Sequence, residues 1–209
     1  MMRSLFPALG PVVSRGGFYL AGGTAAALQL GHRQSVDLDF FSPHPFDPEQ
    51  LIGQLAGLGD LRVAHVAAGT LHVYVNGVRT SFFHYGYPLI DPFVSYQGMH
   101  LAGLRDISLM KVVGISNRGA RKDFIDLYVI CMRVWPLAEV LRNLPRKFGA
   151  RYSLGHVLRS LQYFEDAERD PMPKLLDPAV SWEGVKTFFR DQVRAYVRGL
   201  QLEESQLDG

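Results

Sequence analysis

Residues 18–41 read FYLAGGTAAALQLGHRQSVDLDFF, and they carry the strongest structural signals of the sequence. The apolar residues before Gly22-Gly23 are typical of a short strand, and the two glycines are typical of a tight turn. Residues 24–30 are rich in Ala and Leu, which favour a helix. In residues 36–41 the side chains alternate between two faces, as expected of a strand with one buried face. The sequence therefore predicts a strand, a glycine turn, a helix and a second strand in that order.

Two carboxylates, Asp37 and Asp39, follow the predicted helix. Because they are two residues apart on a strand, they are expected to project from one face, where they repel each other unless a cation lies between them. Mg²⁺ (or Mn²⁺) is the expected cation, since it binds carboxylate and phosphate oxygens, and a glycine turn that opens a helix offers backbone N–H groups to phosphates. Pairing of the strand that ends at Ala21 with the acidic strand would unite both features in one site for metal-assisted phosphoryl transfer.

Each feature also has a purely structural interpretation when it is taken alone. Gly-Gly pairs are common in plain turns, and Asp-Leu-Asp also occurs at solvated strand ends. The order and spacing of the two features favour the functional interpretation. Arg33, which lies just before the acidic strand, is then a candidate phosphate contact.

Two further local signals mark the first half of the chain. Asp47 followed by Pro48 is typical of a helix start, with Asp47 as the N-cap of a helix over residues 47–57. Asn76-Gly77 lies between two apolar runs and is the dipeptide favoured in type I′ turns, so it predicts a two-residue β-hairpin.

The character of the sequence changes near residue 104. Before it, short apolar runs alternate with turn signals, whereas long segments with helical spacing follow it. The sequence predicts an α+β core in residues 1–104 and a helical domain in residues 105–209. Five helices are expected there, with an exposed loop at residues 166–178 before the last helix at residues 182–200.

The composition excludes several classes of protein. The 209 residues are 47% hydrophobic and 20% charged, as in ordinary soluble globular proteins. The formal net charge of +2 is too small to indicate nucleic-acid binding by itself. No run approaches the roughly 18 apolar residues of a membrane span. The single cysteine, Cys131, fits a reducing compartment. We therefore expect a cytoplasmic protein without a membrane partner.

The order Gly22-Gly23-Thr24, helix, Asp37-Leu38-Asp39 resembles the defining motif of the polymerase-beta-like nucleotidyltransferase superfamily. A more extensive similarity is to the AbiEii/AbiGii toxin family of nucleotidyltransferases, and it is carried by residues 19–41, Lys111, residues 118–128 and residues 163–168. The resemblance spans nearly the whole chain. It implies an α+β fold in which a polymerase-beta-like nucleotidyltransferase core with a small mixed sheet is followed by a C-terminal helical bundle.

The resemblance also implies an activity. Members are toxins of toxin–antitoxin or abortive-infection systems that transfer nucleotides to RNA or bind a triphosphate, often GTP. For this chain it implies transfer of a nucleoside monophosphate from GTP or another nucleoside triphosphate to an RNA (tRNA-like) or protein hydroxyl, with an antitoxin protein as partner. By the same resemblance, Asp37 and Asp39 would bind the metal and act in catalysis together with Lys111 and Asp126. The expected nucleotide contacts are Gly22, Gly23, Thr24, Arg33, Ser35, Arg118 and Lys122.

The cations of the helical half have an alternative interpretation as a solvated face. Lys122 and Asp126 are four residues apart on a helix, which is the spacing of an ordinary surface ion pair. Arg118 and Lys122 would then have no role in binding a nucleotide.

The sequence departs from the superfamily pattern at one position. Many active members carry a third carboxylate on a later strand of the same sheet, but residues 61–90 contain no Asp or Glu. The register of the predicted hairpin assigns this third-acid position to Ser81, which is a weaker Mg²⁺ ligand than a carboxylate. Asp123 or Asp126 of the helical half is an alternative third acid. Two hypotheses follow: an active Mg²⁺-dependent nucleotidyltransferase, or a non-catalytic module that binds a nucleotide or a partner.

Overall fold

The structure, a computed structural model, describes residues 2–207. The chain divides into two compact units. The first unit comprises the residues up to Leu30 together with Gln34–Ile107, and the second comprises Gly31–Arg33 together with the residues from Ser108 onward. The second unit is therefore built from two separate segments of the sequence.

The first unit is a mixed seven-stranded sheet with three helices. Its helices are α1 (Met2–Arg15), α2 (Gly22–Leu30) and α3 (Pro48–Ala56). Its strands are β1 (Tyr19–Ala21), β2 (Leu38–Ser42), β3 (Leu61–Ala67), β4 (Thr70–Val75), β5 (Val78–His84), β6 (Val94–Tyr96) and β7 (Met99–Leu101). The strand order is β3-β4-β5-β2-β1-β7-β6. Strand β2 runs antiparallel to β1 and parallel to β5, so the predicted mixed sheet is confirmed.

The core of this unit lies against one face of the sheet. Leu38 and Phe40 of β2 and Phe82 of β5 are fully buried. The rings of Phe40 and Phe82 stack with centroids 5.3 Å apart, and Phe18 packs edge-on against Phe82 at 5.1 Å. Because side chains alternate along a strand, burial of Leu38 and Phe40 places Asp39 on the opposite face of the sheet.

The local turn and cap signals have the expected structures. The Asp47 side chain accepts hydrogen bonds from the backbone N–H groups of Glu49 and Gln50 and caps α3. Asn76 and Gly77 have φ angles of 48° and 77°, as a type I′ turn requires, and the turn joins β4 to β5.

The second unit is helical. Helix α4 (Leu104–Arg118) begins in the first unit and continues into the second, and five further α-helices follow: α5 (Arg121–Arg133), α6 (Leu137–Phe148), α7 (Leu154–Ser160), α8 (Glu165–Arg169) and α9 (Trp182–Leu207). The expectation of five helices from residue 105 was wrong for the described chain, because α8 occupies residues 165–169 and so replaces the start of the exposed loop predicted at residues 166–178. Ala167 of α8 is fully buried, and a break after Ser160 separates α8 from α7. No Gly or Pro marks that break in the sequence.

Among the helices of residues 2–207, none combines the length and the apolar character needed to span a lipid bilayer.

Gly77, which has a positive φ in the turn between β4 and β5, makes a testable contribution to stability. Gly77→Ala should lower the free energy of unfolding by about 1–2 kcal/mol, because a Cβ disfavours a positive φ. Gly53→Ala is the matched control, since Gly53 lies inside α3 with open space around its Cβ position. It should raise the free energy of unfolding by about 0.5–1 kcal/mol. Urea denaturation of both variants measures the difference, and equal effects would contradict the assignment.

Candidate functional site

The glycine turn lies directly against the acidic strand. Ala21, the last residue of β1, pairs with Asp39 of β2. Gly22 follows with a φ of +66°, and a Cβ built on it would lie 3.0 Å from Asp39 Oδ2. The position therefore favours glycine for two reasons: its backbone is left-handed, and a side chain would press on the Asp39 carboxylate. The N-terminus of α2 and the Asp39 carboxylate consequently lie side by side.

Thr24 holds the segment before the acidic strand in place. Its hydroxyl donates to the carbonyl oxygen of Asp37 and lies 2.8 Å from Ser35 Oγ, and only 2% of Thr24 is exposed. This hydroxyl therefore positions the acidic segment. The predicted phosphate contact of Thr24 would then be made by its backbone N–H group.

Asp37 and Asp39 differ in their local structure. Strand β2 begins at Leu38, so Asp39 lies within the sheet and Asp37 immediately precedes it. The expectation of one strand from residue 36 that carries both acids is corrected in this respect. Both side chains are half-buried.

Ser81 is the neighbour of Asp39 on the next strand. Residue 81 of β5 pairs with residue 39 in the parallel β2–β5 ladder, and it pairs with His72 in the antiparallel β4–β5 ladder. Ser81 Oγ lies 2.9 Å from Nδ1 of His72, and Ser81 is 2% exposed. The position assigned to the third acid thus carries a buried hydroxyl bound to an imidazole.

The sequence indicates no functional role for His72, although the hairpin register predicts that it shares a face with Ser81 and Arg79. The hairpin centred on Asn76-Gly77 places His72 and Ser81 on one face, so the register alone indicated that the two side chains are neighbours.

The acidic pair offers a limited set of ligands to a metal ion. Within the described part of the chain, no group of three or more His, Cys, Asp or Glu side chains is arranged to hold a metal. Mg²⁺ is commonly held by one or two carboxylates together with substrate phosphates and water. Asp37 and Asp39 fit a metal that binds together with a triphosphate, whereas they do not form a complete protein cage.

Asp126 lies in a separate cluster in the second unit and is fully buried. Arg33 donates to both of its oxygens, with Nε at 2.6 Å from Oδ1 and an Nη at 2.8 Å from Oδ2. His32 Nε2 lies 2.7 Å from Oδ1, and Lys111 Nζ lies 2.6 Å from Oδ2. One carboxylate is thus surrounded by three basic side chains.

Asp123 extends this cluster to the surface. It is also fully buried, and it accepts from Lys111 Nζ at 2.7 Å and from Arg118 Nε at 2.9 Å. The Arg118 side chain is 62% exposed, so the cluster reaches solvent at this residue. Lys111 is therefore enclosed between two buried carboxylates.

The pKa shifts agree with this pairing. Burial by itself would raise the pKa of Asp126, but Lys111, His32 and Arg33 outweigh it and hold the pKa well below its usual range. Burial is likewise overcome at Asp123, where Lys111 and Arg118 lower the pKa. The two carboxylates in turn raise the pKa of Lys111 against the opposing effect of burial. All three groups are charged at neutral pH.

Five predicted site residues belong to the second unit, and some are buried whereas others are exposed. Arg33 is 4% exposed, and its guanidinium binds Asp126, so its contact with a phosphate stays a prediction. Lys111 and Asp126, which the family resemblance placed in catalysis, are buried against each other. Arg118 and Lys122 are exposed. The surface pair expected between Lys122 and Asp126 is wrong, because Asp126 is buried.

Comparisons with known proteins identify one clear relative and a shared fold. No family model matches the sequence. An uncharacterized protein of Aquifex aeolicus, aq_aa25, is 39% identical over 198 residues, which cover 91% of this chain and 94% of that protein.

Two Helicobacter pylori structures share the fold over most of their length. JHP933 matches with a TM-score of 0.58 and 16% identity, over 99% of this chain and 93% of that protein. A protein described as a candidate nucleotidyltransferase matches with a TM-score of 0.53 and 15% identity, over 96% and 93%. The fold is therefore a nucleotidyltransferase fold, and membership of the AbiEii/AbiGii family stays a prediction.

The buried cluster should be essential for the stability of the second unit. Asp126→Asn removes the charge that three basic groups share, so it should lower the free energy of unfolding by about 3–5 kcal/mol. Glu139→Gln is the control, because the exposed Glu139–Arg142 pair should contribute less than about 1 kcal/mol. Chemical denaturation measures both, and a similar small effect of the two substitutions would contradict a structural role for Asp126.

The stability of the protein should also depend on pH through Asp123 and Asp126. A carboxylate with a lowered folded-state pKa contributes stability above its unfolded value of about 3.9. That contribution is lost as the pH falls through the folded-state pKa. The difference in unfolding free energy between wild type and Asp126→Asn should therefore be steady near neutral pH and shrink below about pH 4. Denaturation at a series of pH values tests this, and a difference that grows on acidification would refute it.

Proposed function

Because this chain belongs to the family of the Aquifex aeolicus protein aq_aa25, whose name assigns no activity, we propose a function from the site itself. The protein is a Mg²⁺-dependent nucleotidyltransferase that moves a nucleoside monophosphate from a nucleoside triphosphate to a hydroxyl group. The observation that carries this proposal is the close approach of the Gly22 turn to the Asp39 carboxylate, which follows from the pairing of Ala21 with Asp39. Because Ala21 pairs with Asp39, the helix N-terminus that would bind phosphate starts one residue beyond the partner of the proposed metal ligand.

The side chains and backbone of the first unit have distinct roles in this proposal. Asp37 and Asp39 would hold the divalent metal, which when bound supplies positive charge for the phosphates and the leaving pyrophosphate. The N–H groups of Gly23 and Thr24 at the start of α2 bind phosphate oxygens, because the helix dipole and unpaired amides favour anions there. Ser35 and the Thr24 hydroxyl fix the backbone of Asp37.

The reaction is an in-line displacement at the α-phosphorus. The oxygen of the acceptor hydroxyl forms a bond to phosphorus, the bond to the pyrophosphate oxygen breaks, and the hydroxyl proton is transferred to a base. The family resemblance supports an RNA (tRNA-like) or protein hydroxyl as acceptor and GTP or another triphosphate as donor. It also supports a role as the toxin of a toxin–antitoxin or abortive-infection system, with an antitoxin as partner. Arg118 and Lys122 of the second unit are exposed cations that suit the phosphates of an RNA.

The hydroxyl at residue 81 favours a second candidate function. Ser81 pairs with Asp39 at the point where a third carboxylate would complete the two-metal site. A protein without that acid would bind a triphosphate or a partner without transferring a nucleotide.

Transfer of label from each of the four α-labelled ribonucleoside triphosphates to total tRNA and to protein tests the proposal. Wild type with Mg²⁺ should produce label, and Asp39→Asn should reduce it on the order of 100-fold or more, since it weakens a metal ligand. Asp47→Asn is the matched control, because asparagine preserves the N-cap of α3 and should leave activity unchanged. Absence of label in wild type with every triphosphate would favour the binding module.

The glycine turn gives an independent test. Gly22→Ala should abolish transfer, because the added Cβ meets the Asp39 carboxylate at 3.0 Å. Gly31→Ala introduces a Cβ at a φ of +65° into open space, so it carries the same backbone penalty without the contact. Transfer by this control should persist in folded protein. Equal losses in the two variants would show that backbone strain, and not the carboxylate contact, is responsible.

A further inference from the structure

A row of polar side chains crosses the sheet from Asp39. Asp39 on β2 pairs with Ser81 on β5, Ser81 pairs with His72 on β4, and His72 pairs with His65 on β3. Directly paired residues share one face of a sheet, so these four side chains lie on the face that carries the candidate site. Neighbouring strands are about 4.8 Å apart, which places the backbones of Asp39 and His72 about 10 Å from each other.

The imidazole of His72 covers the third-acid position. Its Nδ1 lies 2.9 Å from Ser81 Oγ, so the ring reaches across the hairpin and over the buried serine. His72 is half-buried and therefore accessible in part, whereas Ser81 is not. Phe83 packs edge-on against the imidazole with centroids 5.4 Å apart, and this contact limits the rotation of the ring. Two fixed neighbours therefore set the orientation of His72.

The electrostatic surroundings favour a neutral ring. Partial burial, followed by the charges of Arg79 and His65, lowers the pKa of His72, while Asp39 acts in the opposite direction. A neutral imidazole has one N–H donor and one lone pair. If Nδ1–H donates to Ser81 Oγ, the lone pair is on Nε2 and can accept a proton.

We propose that His72 is the proton acceptor of the nucleotidyl transfer, in the place that a third carboxylate has in related sites. The inference rests on the proposed function. As the acceptor oxygen forms its bond to the α-phosphorus and pyrophosphate departs, the hydroxyl proton moves to Nε2 of His72. Ser81 is a positioning residue, because its oxygen accepts from Nδ1–H and fixes the tautomer.

The chemistry of histidine suits this task. A side chain with an ordinary pKa near 6.5 is an efficient base near neutral pH, and a positioned base contributes about 10²–10⁴-fold to a reaction rate. A buried serine hydroxyl has no such capacity by itself. The pair therefore supplies the proton acceptor that the strand β5 sequence lacks.

Kinetics of four variants test the assignment. His72→Gln should lower kcat by about 10²–10⁴-fold with little change in the KM of the triphosphate. His65→Gln is the matched control, since it removes the neighbouring exposed imidazole without touching Ser81, and it should behave like wild type. Adding Ser81→Asp to His72→Gln should restore a large part of the lost activity, because it supplies a carboxylate base beside Asp39. The same Ser81→Asp change should not rescue Asp39→Asn.

The tautomer of His72 can be measured without turnover. Nitrogen-15 NMR of the imidazoles, with the His72 signals assigned by their loss in His72→Gln, should show a proton on Nδ1 in wild type. Ser81→Ala should remove this preference. A proton on Nε2 in wild type would overturn the proposal, because that nitrogen then has no lone pair for the substrate proton.

The measurements distinguish a failure of the transferase function from a failure of His72 as the base. If wild type and Asp39→Asn both lack transfer activity, the proposed function fails and the inference falls with it. If wild type is active, Asp39→Asn is inactive and His72→Gln matches His65→Gln, the function stands and His72 is not the base. Failure of Ser81→Asp to restore any activity to His72→Gln would also overturn the placement of His72 at the third-acid position.

Discussion

The close approach of Gly22 to Asp39 is the constraint on which the candidate site depends. Antiparallel pairing of β1 with β2 places Ala21 opposite Asp39, so the chain leaves β1 directly over the carboxylate. A residue with a side chain would meet Oδ2, and a positive φ would strain it further. The helix that starts at this turn therefore directs its N-terminal amides to the region of the acid. In the proposed function, a metal and phosphates would lie between this carboxylate and the helix N-terminus, which makes the two compatible neighbours.

The features that local chemistry determines were predictable from the sequence. The Gly22 turn, the Asp47 cap and the Asn76-Gly77 hairpin each depend on residues within a few positions of one another, and the structure contains all three. The fold followed from the order of these elements and from the family resemblance. The hairpin register also located Ser81 beside His72, because pairing across a two-residue turn leaves one possible alignment.

The contacts that the sequence did not reveal join distant residues. Arg33 and Asp126 are 93 positions apart, and nothing near Arg33 distinguishes a phosphate contact from a buried ion pair. Lys122 and Asp126 have the spacing of a surface pair, but α5 buries Asp126 because the helix is enclosed on several sides. The break between α7 and α8 was also missed, since no Gly or Pro is present between the two helices. In each case, the local sequence pattern does not contain the feature that the folded structure shows.

The segment Gly31–Arg33 belongs to the second unit although it lies far from the rest of that unit in the sequence. The shared carboxylate of Asp126 takes two of its three basic partners from this short segment and the third from Lys111. A fragment that starts at residue 108 would retain a buried anion with Lys111 alone, and a buried charge without adequate compensation opposes folding. We therefore expect that residues 108–207 need the segment Gly31–Arg33 in order to fold as they do in the whole chain. The three residues that follow α2 and the helices from residue 108 onward therefore have to be present together.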